Sequence, residues 1–195
     1  MASTPIDKAK FLVIDCEMTG LDPSKHEIIE VAGLPVEGFA IGGEPGFYSE
    51  IEPERSIPAD TKAVHGLRGK ELAQAPLAID VLPEFVKLFY NRIIVGHNVA
   101  VDVEFLRRKS KRVGMLPPRR PMIDTMRLAG AIWPNKSRAG LDEIIALLEI
   151  EAPKSRHNAL DDARITAEAF VRMTHRLKGE GRLSTVADIL RIGGV

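Results

Sequence analysis

Four acids and a histidine stand in three short blocks of the chain: Asp15 and Glu17 in FLVIDCEMTGL, Asp102 in GHNVAVDVEFL, and His157 with Asp162 in RHNALDDARIT. Hard divalent cations favour oxygen ligands and share their coordination sphere with substrate phosphate. Carboxylates gathered from distant segments therefore suit metal-assisted cleavage of a phosphodiester by a two-metal site. Asp15 and Glu17 are two residues apart on a predicted strand, so both side chains leave one face with Cα atoms about 6.6 Å apart, and the two can share a metal. As an isolated pair they read equally well as solvated acids at a strand end. Asp102 falls in the first turn of a predicted helix, where the N-terminal dipole tolerates a carboxylate, and alone it reads as a local helix acid. His97 and Asn98, at the exit of the preceding strand, read by themselves as local hydrogen-bonding residues. With His157 in a loop and Asp162 in the first turns of the next helix, a base can reach over a metal ligand. Asp161 has the same chemistry but points about 100° away around that helix, which makes it the weaker candidate.

The elements that must position these residues follow from the rest of the sequence. A length of 195 residues fits one domain with a substantial core. Residues 10–16 read as a central strand ending in a turn at Thr19–Pro23, and 27–38 and 46–52 as two further strands of an antiparallel meander. Pro35 should make the second of these irregular or exposed at its end. Apolar spacing predicts a helix over 76–90, with Pro83 expected to kink or interrupt it. RIIVGHN reads as a strand running into a helix over 99–112, Asp124 as the N-cap of the next helix, and 141–149 and 158–178 as two more. LSTVADILRI adds a short helix near the end. Strands first, then strands interleaved with helices, indicate an α/β architecture with a mixed sheet.

Composition bounds the partners. Lys plus Arg balance Asp plus Glu at 27 each, so the molecule as a whole exerts no long-range pull on a polyanion. Nucleic-acid contact must then be local, and the clearest candidate is RRKSKR, with Arg107, Arg108, Lys109, Lys111 and Arg112, followed by Arg119 and Arg120. Such a run is also what a solvated helix end looks like. Cys16 is the single cysteine, which excludes an internal disulfide framework and a cysteine-based zinc site. The N-terminal apolar run FLVI is too short for a signal-peptide core or a membrane span, and a soluble cytoplasmic protein is the simplest expectation.

Together the blocks resemble the DEDDh-type 3′–5′ exonucleases, a group that includes bacterial proofreading subunits, ribonuclease T and oligoribonuclease. The resemblance covers residues 10–175: Asp-x-Glu in IDCEMTGL, the HNxxxD spacing ending in Asp102, IDT containing Asp124, HNALDDA ending in Asp162, and HGL at His65-Gly66-Leu67. The histidine five before the last aspartate, with Asn158 rather than tyrosine four before it, is the mark of the histidine subclass.

The resemblance implies a ribonuclease H-like α/β fold with a five-stranded mixed sheet flanked by helices. It implies an exonuclease domain over 1–180 and a short C-terminal helical tail over 181–195. It also implies two Mg²⁺ or Mn²⁺ ions and release of nucleoside 5′-monophosphates from a free 3′ end. Asp15, Glu17 and Asp162 would hold one metal, Asp15 would bridge to the second, Asp102 would support that second site, and His157 would be the general base. Met18, Thr19 and Gly20 would approach the terminal nucleotide, with His65, His97 and Asn98 on the substrate side as well. Two departures bear on substrate: Val101 replaces an aromatic residue common in relatives, and EMTGL is similar to oligoribonuclease whereas HGL and the later blocks are similar to polymerase proofreading domains. Single-stranded or frayed DNA is the first expectation, RNA and short oligonucleotides the second, with a DNA polymerase as a possible partner. A rival reading is a non-catalytic exonuclease-like module that docks a polymerase, since fold alone does not fix function.

Overall fold

The computed structural model describes residues 2–42, 46–55, 72–116, 119–151 and 158–195; the His65 and His157 assignments lie outside the described residues. The chain builds one mixed sheet from β1 (Lys10–Met18), β2 (Ile28–Glu37), β3 (Ala40–Ile41), β4 (Phe47–Glu50), β5 (Ile93–Gly96) and β6 (Met122–Asp124). Their order is β3-β2-β1-β5-β6, with β4 also paired to β2. β1, β5 and β6 run parallel, and β2 is antiparallel to β1, β3 and β4. The expected five strands are thus joined by β3, a two-residue addition.

Period-two alternation in β1 decides which layer each residue serves. Phe11 and Val13 pack into one apolar cluster with α3 (Thr125–Ile132), α4 (Leu141–Leu148) and α5 (Ala159–Gly179). Leu12, Ile14 and Cys16 pack into the opposite cluster with α1 (Ala78–Lys87) and α2 (Val99–Arg112). Both faces of β1 are therefore covered, which is why its first residues read as a continuous apolar run. α6 (Val186–Gly193) starts on a reciprocal cap between Thr185 and Asp188 and buries Val186 and Ile189 in the first cluster.

The prolines disturb the fold less than expected: β2 runs on regularly past Pro35, and Pro83 does not interrupt its helix. Pro35 neither ends β2 nor disorders it: it pairs with Leu12, and its carbonyl accepts from Gly42 N–H at 2.7 Å. Since N and C=O of one strand residue point the same way, the missing N–H of Pro35 falls on that outer side, and the ladder with β1 loses nothing. Pro83 lies inside α1, which continues to Lys87. Burial of Val81, Leu82 and Phe85 outweighs the one lost backbone bond.

A carboxylate centre at the end of the central strand

β1 outruns its parallel partner. Pairing with β5 is last seen at Val13–Val95, whereas β1 continues to Met18, so Asp15 and Glu17 stand beyond the ladder at the carboxyl edge of the sheet. By alternation they continue the face of Phe11 and Val13, the face covered by α5. α5 presents Asp162 in its first turn, and ligand oxygens of Asp15, Glu17 and Asp162 all lie within 4.8 Å of one another. Burial first, then the negative charges of Asp102, Glu17, Asp162 and Glu30, hold the Asp15 carboxyl well above the ordinary 3.8. Crowded carboxylates of this kind are costly until a cation joins them, and an all-oxygen donor set fits a hard divalent ion.

Asp102 arrives from the other side of the sheet. It lies in the first turn of α2, and its Oδ1 accepts from Cys16 N–H at 3.0 Å, a donor that stands past the end of the β5 ladder. That bond fixes Asp102 beside the three clustered acids without placing it among them. Burial pushes its carboxyl up to about 7, against the lowering effect of the Cys16 N–H. The Cys16 thiol is itself pushed well above its ordinary value, by burial first and then by Asp102, and is no nucleophile here.

The start of α5 is anchored twice. Asn158 caps it by accepting from Asp161 N–H at 2.8 Å, and Asp161 Oδ2 accepts in return from Asn158 Nδ2 at 2.6 Å. Asp161 is thereby committed to the cap and Asp162 to the cluster, as helix geometry requires. The second anchor is Glu30, whose Oε2 accepts from Ala159 N–H at 2.9 Å while its side chain also takes a bond from Tyr48. Glu30 pairs directly with Glu17 across β1 and β2 and is 1% exposed. Sequence reading passed over it, although an acid inside the apolar run IIEVAGL was the available signal, since a buried carboxylate needs partners.

The substrate-side candidates are held by local bonds. Thr19 N–H donates to Glu27 O at 2.8 Å, and Thr19 Oγ1 accepts from Glu27 N–H at 3.0 Å, closing the turn between β1 and β2. A Cβ on Gly20 would lie 2.5 Å from the His26 ring, so glycine lets that ring fold over the turn. Met18 and Val101 pack against the same apolar cluster. His97 Nδ1 lies 3.0 Å from Thr125 Oγ1, whose hydroxyl also reaches Gly96 O at 3.3 Å, so the ring is held beside the start of α3. Burial lowers the His97 pKa and keeps the ring neutral. Asn98 adopts a left-handed conformation at φ 58°, and its N–H donates to Asp124 Oδ1, the same atom that caps α3 through Met126 N–H.

Residues 12–170 match the family model for exonucleases of the ribonuclease T type. The DNA polymerase III subunit epsilon-like protein of Rhodobacter capsulatus is 38% identical over 193 residues, covering 97% of this chain but 27% of that protein. The DNA polymerase III subunit epsilon of Aquifex aeolicus is 34% identical over 167 residues, covering 86% of this chain and 81% of its own length. Among solved structures, Exonuclease X in complex with 5′ overhanging duplex DNA is 25% identical with a TM-score of 0.68, covering 92% of this chain and 98% of that one. The chain spans only about a quarter of the Rhodobacter relative, yet the match runs across its whole sheet and all four acids, and it belongs to the DEDDh-type 3′–5′ exonuclease family.

Proposed function

We propose that the chain hydrolyses the terminal phosphodiester of single-stranded or frayed DNA at a free 3′ end and releases nucleoside 5′-monophosphates. The observation that carries this reading is the convergence of Asp15, Glu17 and Asp162 within 4.8 Å at the carboxyl edge of the sheet, with Asp102 fixed alongside. Asp15, Glu17 and Asp162 would hold a Mg²⁺ or Mn²⁺ ion, and Asp15 with Asp102 would support a second. When bound, such ions supply positive charge that lowers the pKa of an attacking water and stabilises the departing 3′ oxygen. His157, five residues before Asp162, is assigned by the family pattern to take the water's proton. The Met18–Gly20 turn, held closed by Thr19 and Glu27, would receive the terminal nucleotide.

DNA is preferred over RNA because the sequence relatives are a DNA polymerase III epsilon-like protein and a DNA polymerase III epsilon subunit, which would also make a polymerase a natural partner. Retention of every metal-binding acid speaks against a purely docking role. No described helix is long and apolar enough to cross a membrane. The deciding experiment compares cleavage of single-stranded DNA, duplex DNA with a mismatched 3′ end, and short RNA, each with Mg²⁺ and with Mn²⁺. Faster turnover of short RNA than of either DNA would replace this reading with an RNA-trimming one.

A further inference from the structure

The basic run RRKSKR is not used by the carboxylate centre, and the fold divides it. Lys109 is 3% exposed and bonds Glu27 at 3.2 Å and Glu54 at 3.0 Å, so it is an internal clamp. Arg107, Arg108, Lys111 and Arg112 instead form one wall of an open groove of about 510 Å³, and Ser24 and Arg55 stand on the other. Ser24 on that side belongs to the turn that continues from Met18–Gly20. Asp22 shapes that turn by accepting from Ser24, and Arg55 holds it through the carbonyls of Ser24 and Lys25.

Internal neutralisation does not account for this much positive charge. Glu27 and Glu54 are matched by Lys109 and Arg112, and Glu104 alone meets both Arg107 and Arg108. Lys111 has no ion-pair partner among the described residues. In a chain of zero net charge, this concentrates positive potential in one groove, which attracts an anionic ligand locally.

We propose that this groove holds the phosphate backbone of the nucleic-acid strand whose 3′ end enters the carboxylate centre. The inference rests on the exonuclease reading above and adds where the rest of the strand lies. α2 supplies the scale: from Asp102 to Arg108 and Arg112 is six to ten residues, about 9–15 Å along the helix axis. At the 3.4 Å rise of one strand in a duplex, that distance spans roughly three to four phosphates, and an extended single strand places fewer there. One helix thus carries a site acid at its start and phosphate-binding cations further along. Guanidinium groups suit the role, because they bind phosphate bidentately, and Glu104 is one carboxylate shared between two exposed arginines.

The test uses binding without turnover. Fluorescence anisotropy with end-labelled dT20 in excess EDTA, over a range of salt concentrations, gives the slope of log K against log salt for wild type, for R108A/K111A, and for K87A/K178A, which removes the same charge elsewhere. The expected result is a slope shallower by about 1.4 for R108A/K111A, about 0.7 for each lost phosphate contact, with no change for the control. Melting temperatures of both variants verify folding; should R108A/K111A not fold, R108Q/K111Q replaces it at the same exposed positions. Equal slopes for wild type and the groove variant, equal changes in both double variants, or no binding of dT20 by wild type overturns the proposal. Failure of wild type to degrade dT20 with Mg²⁺ or Mn²⁺, with the slope change intact, removes the exonuclease reading and leaves the groove as a binding site.

Discussion

Glu30 Oε2 accepts a hydrogen bond from the backbone N–H of Ala159 at 2.9 Å, tying the first residue of α5 to the strand that faces Glu17. Ala159 N–H is one of the unsatisfied donors at the start of a helix, where a carboxylate also meets the positive end of the dipole. Asp162 sits three residues further on, so this bond sets its height above the sheet.

Glu30→Ala should therefore lower stability by about 1–3 kcal/mol and weaken Mn²⁺ binding together with turnover. Glu30→Gln keeps an acceptor in place and should restore most of the stability. Thermal melting and calorimetric Mn²⁺ titration of both variants check this. Wild-type Mn²⁺ affinity in Glu30→Ala would show that the strand does not position Asp162.

How much of this was legible in the sequence depends on the range of each contact. Helix α2 and the caps at Asp124 and Asn158 are local, and their spacing shows in a few residues. The split between Asp161 and Asp162 follows from 100° per residue alone. Glu30 to Ala159 and Lys109 to Glu27 join segments 129 and 82 residues apart, which no local pattern encodes. Pro35 leaves β2 regular for a related reason: whether its missing N–H matters depends on which neighbour lies on that side, a fact of sheet order.

Asp161 and Asp162 can be separated by substitution. Asp162→Asn removes a cluster carboxylate and should abolish turnover while leaving the fold intact. Asp161→Ala loses the reciprocal bond with Asn158, should cost about 0.5–2 kcal/mol of stability, and should retain most turnover in the folded fraction. The reverse pattern in paired melting and turnover measurements would reassign the metal ligand.

Stability without metal should depend on pH in the sense opposite to acid denaturation. The Asp102 carboxyl is pushed up to about 7 and Asp15 also stands well above 3.8, both mainly by burial, whereas unfolded aspartates titrate near 4. Between about pH 4 and 7 the native state keeps protons that the unfolded chain has released, so stability is full below that window and falls as pH rises through it. For Asp102 alone the loss is on the order of 4 kcal/mol. A bound divalent cation offsets the repulsion between ionised acids. The melting temperature in EDTA should therefore drop from pH 5 to pH 8, and the rise given by Mn²⁺ should be larger at pH 8. A flat profile in EDTA would mean that these carboxylates are ionised and well solvated in the native state.

The role of His157 is tested by removing it alone. If it takes the proton of the attacking water, His157→Ala should lower turnover by roughly 10²–10⁴-fold with folding and Mn²⁺ affinity nearly unchanged, since no carboxylate ligand is lost. If it serves only to lead the chain into α5, the same substitution should lower the melting temperature and spare turnover in the folded fraction. The cap at Asn158 and the bond from Ala159 N–H to Glu30 already secure that helix start, which favours the first outcome. Measuring turnover, melting and Mn²⁺ binding on one preparation separates the two, because only loss of a proton acceptor lowers the first while leaving the others in place.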